Sequence, residues 1–234
     1  MKQILLIGIS IVLLGCEDKQ SKQKNTILKP TSSTEKQVKQ EDTSANQEPE
    51  FPYLTDDNAM EFFLEYEKEN KENKVRITTR FGEIDILLYD KTKFHRANFI
   101  YLTKRGYFDK TQFYRVVNNF IIQAGNTDDP KVKRKRKKIG YYLLPPDTKR
   151  GFKHKRGVVS MPSSEIENAY KLASPFEFFI VQAENGAHHL DGEYTIFGEV
   201  IRGMDVVDEI AAQKTDGGEW PMRNIYIKNV EIIE

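Results

Sequence analysis

Hydrophobic and polar positions alternate through much of residues 75–233, and this alternation is the main structural signal in the chain. Val75 to Thr79 and Glu83 to Tyr89, on either side of a Phe81-Gly82 turn, read as a hairpin with alternating burial. Further β-type runs cover 112–117, 120–124, 157–161, 176–182, 194–201 and 225–233. Two segments follow the helical period instead. Arg96 to Lys104 places Ala97, Ile100 and Tyr101 on one face and ends at Gly106, a residue suited to a helix C-terminus. Met204 to Ala212 turns Val207 and Ile210 inward. A short amphipathic helix over 57–72 carries Met60, Phe63, Leu64 and Glu67, with Asp56 or Asp57 as its N-cap. About eight strands with two well-separated helices predict a mainly β fold, a closed antiparallel barrel rather than a βαβ sheet.

Chemistry concentrates in residues 113–125. Two β-rich runs flank Asn118-Asn119, a pair suited to the positive φ angles of a tight turn. Period-two alternation puts Phe113, Arg115 and Val117 on one face, and Ile121 and Gln123 on the same side of the next strand. A strand arginine among apolar neighbours needs a partner or a task. Here it is expected beside a carboxamide and an apolar floor, with no acid, base or thiol at hand. Such a surface can bind a peptide and polarise an amide, but it has no nucleophile.

The remaining pattern divides the chain. Lys2 and the apolar run Ile4 to Leu14 form a segment shorter than the roughly 20 residues of a membrane-spanning helix. Leu13-Leu14-Gly15-Cys16 resembles a bacterial lipobox, in which the cysteine is acylated after cleavage. Cys16 is the single cysteine, so no internal disulfide can form. The expected organisation is a signal peptide over 1–15, a lipidated disordered linker over 16–50, a helical extension over 51–74 and a barrel domain over 75–234. The linker is rich in Lys, Gln, Glu, Ser and Thr, and should reach roughly 30 Å. The domain is thus expected to be tethered to a membrane, facing the periplasm or the cell surface.

Composition adds less. The chain has 234 residues, with 36 basic and 35 acidic side chains, which fits one globular domain with extensions and singles out no partner class. Charge is uneven, however. Residues 127–156 read as an irregular basic loop, with Lys131, Lys133, Arg134, Lys135, Arg136, Lys137 and Lys138 nearly contiguous. This run is a solvated rim or a contact for an anionic surface; nucleic acid is not an expected partner of an exported lipoprotein. His188-His189 lacks a third ligand at a recognisable spacing, so no metal centre is expected. His95 and His154 are expected at the surface. There is no internal repeat and no glycine-rich phosphate loop.

Several blocks, in order, resemble the cyclophilin family of peptidyl-prolyl cis-trans isomerases. They are Asn98-Phe99 with Gly106-Tyr107, the run Phe113-Tyr-Arg115…Phe120-Ile-Ile-Gln123-Ala-Gly125, Gly157-Val-Val-Ser-Met161, Phe178-Phe179-Ile180, Leu190-Asp-Gly192-Glu-Tyr194-Thr-Ile-Phe197-Gly198 and Gly203-Met204-Asp-Val-Val207. The resemblance implies an eight-stranded antiparallel barrel closed by two helices, with a peptide groove on its outer face. It implies Arg115 as catalytic residue, a proline pocket lined by Phe120, Ile121, Phe179 and Leu190, and Gln123 holding the substrate backbone. Ser163, His189 and Tyr194 would complete the groove. No cofactor or metal is implied, the substrates are proline-containing polypeptides, and a monomer is expected. The sequence departs from the family pattern where Tyr194 replaces a pocket histidine, His189 a tryptophan, Pro162-Ser163 an Ala-Asn pair, and Pro175-Phe176-Glu177 a Gly-Ser-Gln.

Overall fold

The computed structural model describes residues 51–163 and 168–234. The apolar run 4–14, Cys16 and the linker to residue 50 lie outside the described residues. Among the described residues no helix is long and apolar enough to cross a membrane.

Among the described residues nine strands form one curled sheet: β2 (Lys74–Thr78), β3 (Glu83–Leu88), β4 (Gln112–Val117), β5 (Ile121–Asn126), β7 (Val158–Met161), β8 (Phe178–Val181), β9 (Thr195–Arg202), β10 (Ile225–Tyr226) and β11 (Asn229–Ile232). Their order is β10-β4-β5-β8-β7-β9-β3-β2-β11, antiparallel throughout. The run expected as one strand over 225–233 is split into β10 and β11, which sit at opposite ends of this order. Only Ile227 and Lys228 separate them, and these two donate their N–H groups to Thr111 O and Thr78 O.

Among the described residues four α-helices accompany the sheet, where the pattern predicted the extension helix and two others: α1 (Ala59–Glu69), α2 (Lys93–Lys104), α3 (Pro130–Ile139) and α4 (Met204–Ala211). The end of α2 follows directly from sequence. Gly106 takes φ +56°, its N–H donates to Thr103 O, and Tyr107 N–H donates to Leu102 O, which satisfies carbonyls the helix leaves open. α3 overturns the expected irregular loop. Asp129 accepts from the Lys131 amide as N-cap, Pro130 sits in the first turn, and Val132 and Ile139 are buried. Repulsion among its cations does not prevent the helix because Lys131, Lys133, Arg134, Lys137 and Lys138 project into water. α3 ends in a two-residue strand, β6 (Gly140–Tyr141), paired in parallel with β1 (Leu54–Thr55). A side chain at Gly140 would meet Leu54 O at 2.0 Å, so this close pairing requires glycine.

The interior of the sheet is filled by Phe99, Phe108, Phe113, Phe178 and Phe197, all at most 1% exposed. α4 adds Val207 and Ile210 to the same core. The extension is part of this fold. Phe51, Phe62, Phe63 and Tyr66 pack around Tyr101 of α2 with ring centroids 5.1–5.8 Å from it. Beside them Arg96, 2% exposed, pairs with Glu67 at 3.1 Å and donates to the carbonyls of Asn70 and Glu72. Asn58, not Asp56 or Asp57, stands at the helix N-terminus, while Asp56 accepts from the Leu143 amide.

His95 and His154 are buried, contrary to expectation. His95 lies within α2 with neither ring nitrogen hydrogen-bonded, and burial lowers its pKa to about 3.

Candidate active site

A second apolar cluster lies apart from the main core: Ile121, Val158, Phe179, Val181, Ala183, Ala187 and Ile196, with Phe120, Leu190 and Tyr194 packed against it. Strand alternation explains the separation. On β5, Ile122 and Ala124 belong to the core, while Ile121 belongs to the outer cluster and Gln123 is half-buried. A cavity of about 310 Å³ opens on the outer side, lined by Tyr114, Arg115, Phe120, Ile121, Gln123, Pro162, Ser163, Phe179, Leu190 and Tyr194.

The β4–β5 hairpin supplies half of this lining by a route that alternation alone does not give. Phe113 pairs with Ala124 and Arg115 with Gln123, leaving Tyr114 as an extra residue on β4. This β-bulge shifts the phase of the strand. Phe113 points into the core, Tyr114 and Arg115 both line the cleft, and Val116 returns to the core. Phe113 and Arg115 therefore do not share a face, as simple alternation had predicted. The turn differs too. Residues 118–120 form it, and only Asn119 has positive φ, at +57°. Its amide donates to the Gln182 side chain, and Phe120 O accepts from the Gln182 and Ala183 amides, pinning the tip to the neighbouring chain. At the far end of β5, Gly125 takes φ +107° where a side chain would meet Phe176 O at 2.2 Å.

Polar groups along this wall are interlocked. Gln123 Nε2 donates to the Tyr114 hydroxyl, which donates to Glu177 Oε2 at 2.8 Å. Arg115 Nε donates to Glu219 Oε2 at 2.6 Å, and its guanidinium carbon lies 5.9 Å from the Phe120 ring centre. The expectation of no acid near Arg115 is thereby corrected. Glu219 arrives from a loop 104 residues away in sequence.

The opposite wall rests on loops. Ser163 makes an isolated bridge to Ala173, and Pro162 O accepts from the Ser174 amide. Leu190 ends a single 3-10 turn, His188–Leu190. His189 is exposed and does not line the cavity; its ring stacks on Phe120 at 5.3 Å. Phe179 forms the floor, edge-on to Tyr194 at 5.9 Å and parallel to His154 beneath it at 6.0 Å. His154 is fixed by Asp191, whose Oδ1 accepts its amide at 2.7 Å and faces Nδ1 at 3.1 Å, while Nε2 faces Ser160 Oγ at 3.2 Å. Burial lowers the His154 pKa, opposed by Asp191. Burial works to raise the Asp191 pKa, yet hydrogen bonds from His154 and His188 and the charge of Lys153 hold it at about 2.

Every groove residue expected from sequence except His189 is thus brought to one cavity. Tyr114 and Glu219 were missed; the first becomes apparent only through the bulge, and the second only through folding. Chemically the site offers guanidinium, carboxamide and hydroxyl groups around an apolar slot. No histidine, cysteine or carboxylate is among the described residues lining it, and no cluster of three metal-binding side chains occurs among the described residues.

Comparison with known proteins agrees over the same span. The family described as cyclophilin type peptidyl-prolyl cis-trans isomerase/CLD matches residues 74–232. Peptidyl-prolyl cis-trans isomerase-like 2 of Rhizopus delemar is 35% identical over 169 residues, which are 71% of this chain but 30% of that protein, so the chain spans under a third of its length. Peptidyl-prolyl cis-trans isomerase CYP18-2 of Arabidopsis thaliana is 31% identical over 163 residues, 69% of this chain and 94% of the plant protein. Among solved structures, a Cryptosporidium parvum cyclophilin type peptidyl-prolyl cis-trans isomerase, crystallised in the presence of the dipeptide Ala-Pro, superposes with a TM-score of 0.57 and 28% identity, covering 69% of this chain and 99% of that one. With a sheet, a groove and a continuous match that all coincide over residues 74–232, this chain belongs to the cyclophilin-type peptidyl-prolyl cis-trans isomerase family.

Proposed function

We propose that this protein catalyses cis-trans isomerisation of Xaa-Pro bonds in exported polypeptides while anchored to the cell envelope through lipid on Cys16. The observation that carries the catalytic reading is the position of Arg115 at one side of a slot floored by Ile121 and Phe179 and bounded by Phe120 and Leu190, with Gln123 alongside. An Xaa-Pro amide resists rotation by roughly 18–20 kcal/mol because of resonance, and its exchange takes tens to hundreds of seconds. Rotation breaks the resonance and localises a lone pair on the proline nitrogen. A guanidinium donor directed at that nitrogen stabilises the twisted amide more than either planar form, which is the condition for catalysis. The apolar slot grips the proline ring, Gln123 and Ser163 hold the peptide backbone, and Tyr194 closes the rim. His189 acts from outside, by supporting Phe120. No cofactor or metal enters this scheme.

This reading assumes an eight-stranded closed barrel with β10 and β11 as one bent strand, supported by their positions at opposite ends of the strand order with only Ile227 and Lys228 between them. The extension α1 belongs to the folded unit, and the segment before it serves as signal and tether. Five exposed cations on α3 supply a contact for an anionic surface; the protein works as a monomer and has no nucleic-acid partner.

A second reading, a proline-peptide binder with little turnover, is favoured by Pro162, which places a residue without an N–H on the far wall. A protease-coupled assay on an Xaa-Pro peptide separates the two. Wild type should exceed the uncatalysed rate, and Arg115→Ala should abolish most of the excess; peptide binding without acceleration would establish the binder. Anchoring is tested by Cys16→Ser, expected to release the protein from the membrane fraction; unchanged membrane recovery would refute lipidation there.

A further inference from the structure

We propose that Glu219 is a positioning residue for the isomerase reaction: it takes the Nε edge of the Arg115 guanidinium and leaves the terminal nitrogens for the cleft. The proposal rests on the isomerase reading above.

Stability does not account for this ion pair. Arg115 and Glu219 are 36% and 43% exposed at their side chains, and such surface pairs contribute little to stability. Yet the loop between α4 and β10 is built to deliver the carboxylate. Asp216 Oδ1 accepts from the amides of Gly218 and Trp220, Asp216 N–H donates to Trp220 O, and Thr215 bridges to Pro221. Val116 N–H donates to Glu219 O at 2.9 Å, which fastens the loop to β4 one residue beyond Arg115. Trp220 lies against Tyr114, the bulge residue, with ring centres 5.7 Å apart.

The backbone adds an independent observation. Glu219 has φ +65°, a left-handed conformation that is unfavourable for a residue with a side chain. It directly follows Gly217 and Gly218, neither of which carries that positive φ. A glutamate is therefore held where glycine would be easier, next to a guanidinium that lines the cleft; strain of this kind is retained where a side chain has a task. Holding Nε also removes rotamer freedom from a long side chain, so its remaining donors meet the substrate amide already oriented.

The left-handed φ supplies the test. In the full-length protein, Glu219→Gly keeps the backbone and removes the carboxylate, so it should melt no lower than wild type. NMR exchange spectroscopy on a proline peptide then yields kcat and KM separately. We expect kcat to fall at least about tenfold, within the ~100-fold that a 1 Å misplacement can cost, with KM nearly unchanged. Glu219→Asp, which retains a carboxylate, should recover part of the rate, and Glu219→Ala should not. If Glu219→Gly keeps the wild-type kcat while Arg115→Ala is inactive, the proposal is overturned and the isomerase reading stands. A rise in KM alone would make Glu219 a binding contact and equally overturn it. If wild type itself fails to accelerate exchange, the isomerase reading fails, and this proposal with it.

Discussion

The two walls of the cleft are built by different means. The hairpin wall stands on paired strands: Arg115 is opposite Gln123, Ile121 is opposite Val181, and the turn is tied down at Asn119 and Phe120. The far wall, with Pro162, Ser163, Leu190 and Tyr194, rests on an isolated bridge, a single turn and the side chain of Asp191. A ladder fixes a side chain in three dimensions through backbone bonds on both flanks. A loop fixes it through a few side-chain contacts that substitution can alter. The group proposed to act on the substrate, the Arg115 guanidinium, is on the ladder. The residues that differ from the family pattern are on the loops, where substitution leaves the Arg115 ladder in place.

Four measurements would break or sharpen this contrast. Arg115→Lys keeps the charge on the ladder but loses the planar fork. Turnover should drop about 100-fold, the scale of losing one preorganised donor, with the melting temperature retained; near-normal turnover would show that charge alone suffices. Acid should weaken the interior through His95. The pKa of His95 is lowered from 6.5 to about 3 when folded, so its contribution is complete above pH 6.5 and declines as pH falls towards 3. The loss is on the order of 1–2 kcal/mol between pH 6.5 and 5. His95→Leu should flatten the denaturant-derived stability profile in that window. Asp191, held at about 2, keeps its contribution until far lower pH, whereas its partner His154, whose pKa burial also lowers, adds to the acid sensitivity below pH 6.5.

Asp191→Ala attacks the far wall itself. Losing the acceptor for the His154 amide should cost about 1–2 kcal/mol and raise KM more than it lowers kcat; a pure loss of kcat would place Asp191 in the service of the hairpin wall instead. Pro162→Ala should have the smallest effect, within about 1 kcal/mol in stability. Its rate on a standard peptide should stay close to wild type, and a large gain would show that the missing amide donor limits turnover.

Legibility in the sequence followed the same division. The Gln-Ala-Gly end of β5, the Leu190-Asp-Gly192 block and the Gly106 helix stop are local signals, each encoding a strand, a turn or a cap within a few residues. α3 was also encoded locally, by Asp129-Pro130 and the Val132–Ile139 pair, but its run of cations masked the cue. The bulge at Tyr114 had no such signal. The amino acids of β4 fit a regular strand equally well, and the extra residue appears only once Phe113 and Arg115 are registered against Ala124 and Gln123. His95 and His154 reveal nothing of their burial, because it depends on what packs over them.

By itself the sequence determined the strand-rich fold, the identity of Arg115 and Gln123 as the polar pair of the hairpin, and the apolar residues beside them, since each depends on periodicity and short motifs. Tertiary structure alone decided that Phe113 leaves the face of Arg115, that Tyr114 joins it, and that Glu219 meets Arg115 at 2.6 Å. The physical reason is reach. Periodicity describes a strand relative to itself, whereas a bulge is a property of two paired strands and an ion pair across 104 residues is a property of the folded chain.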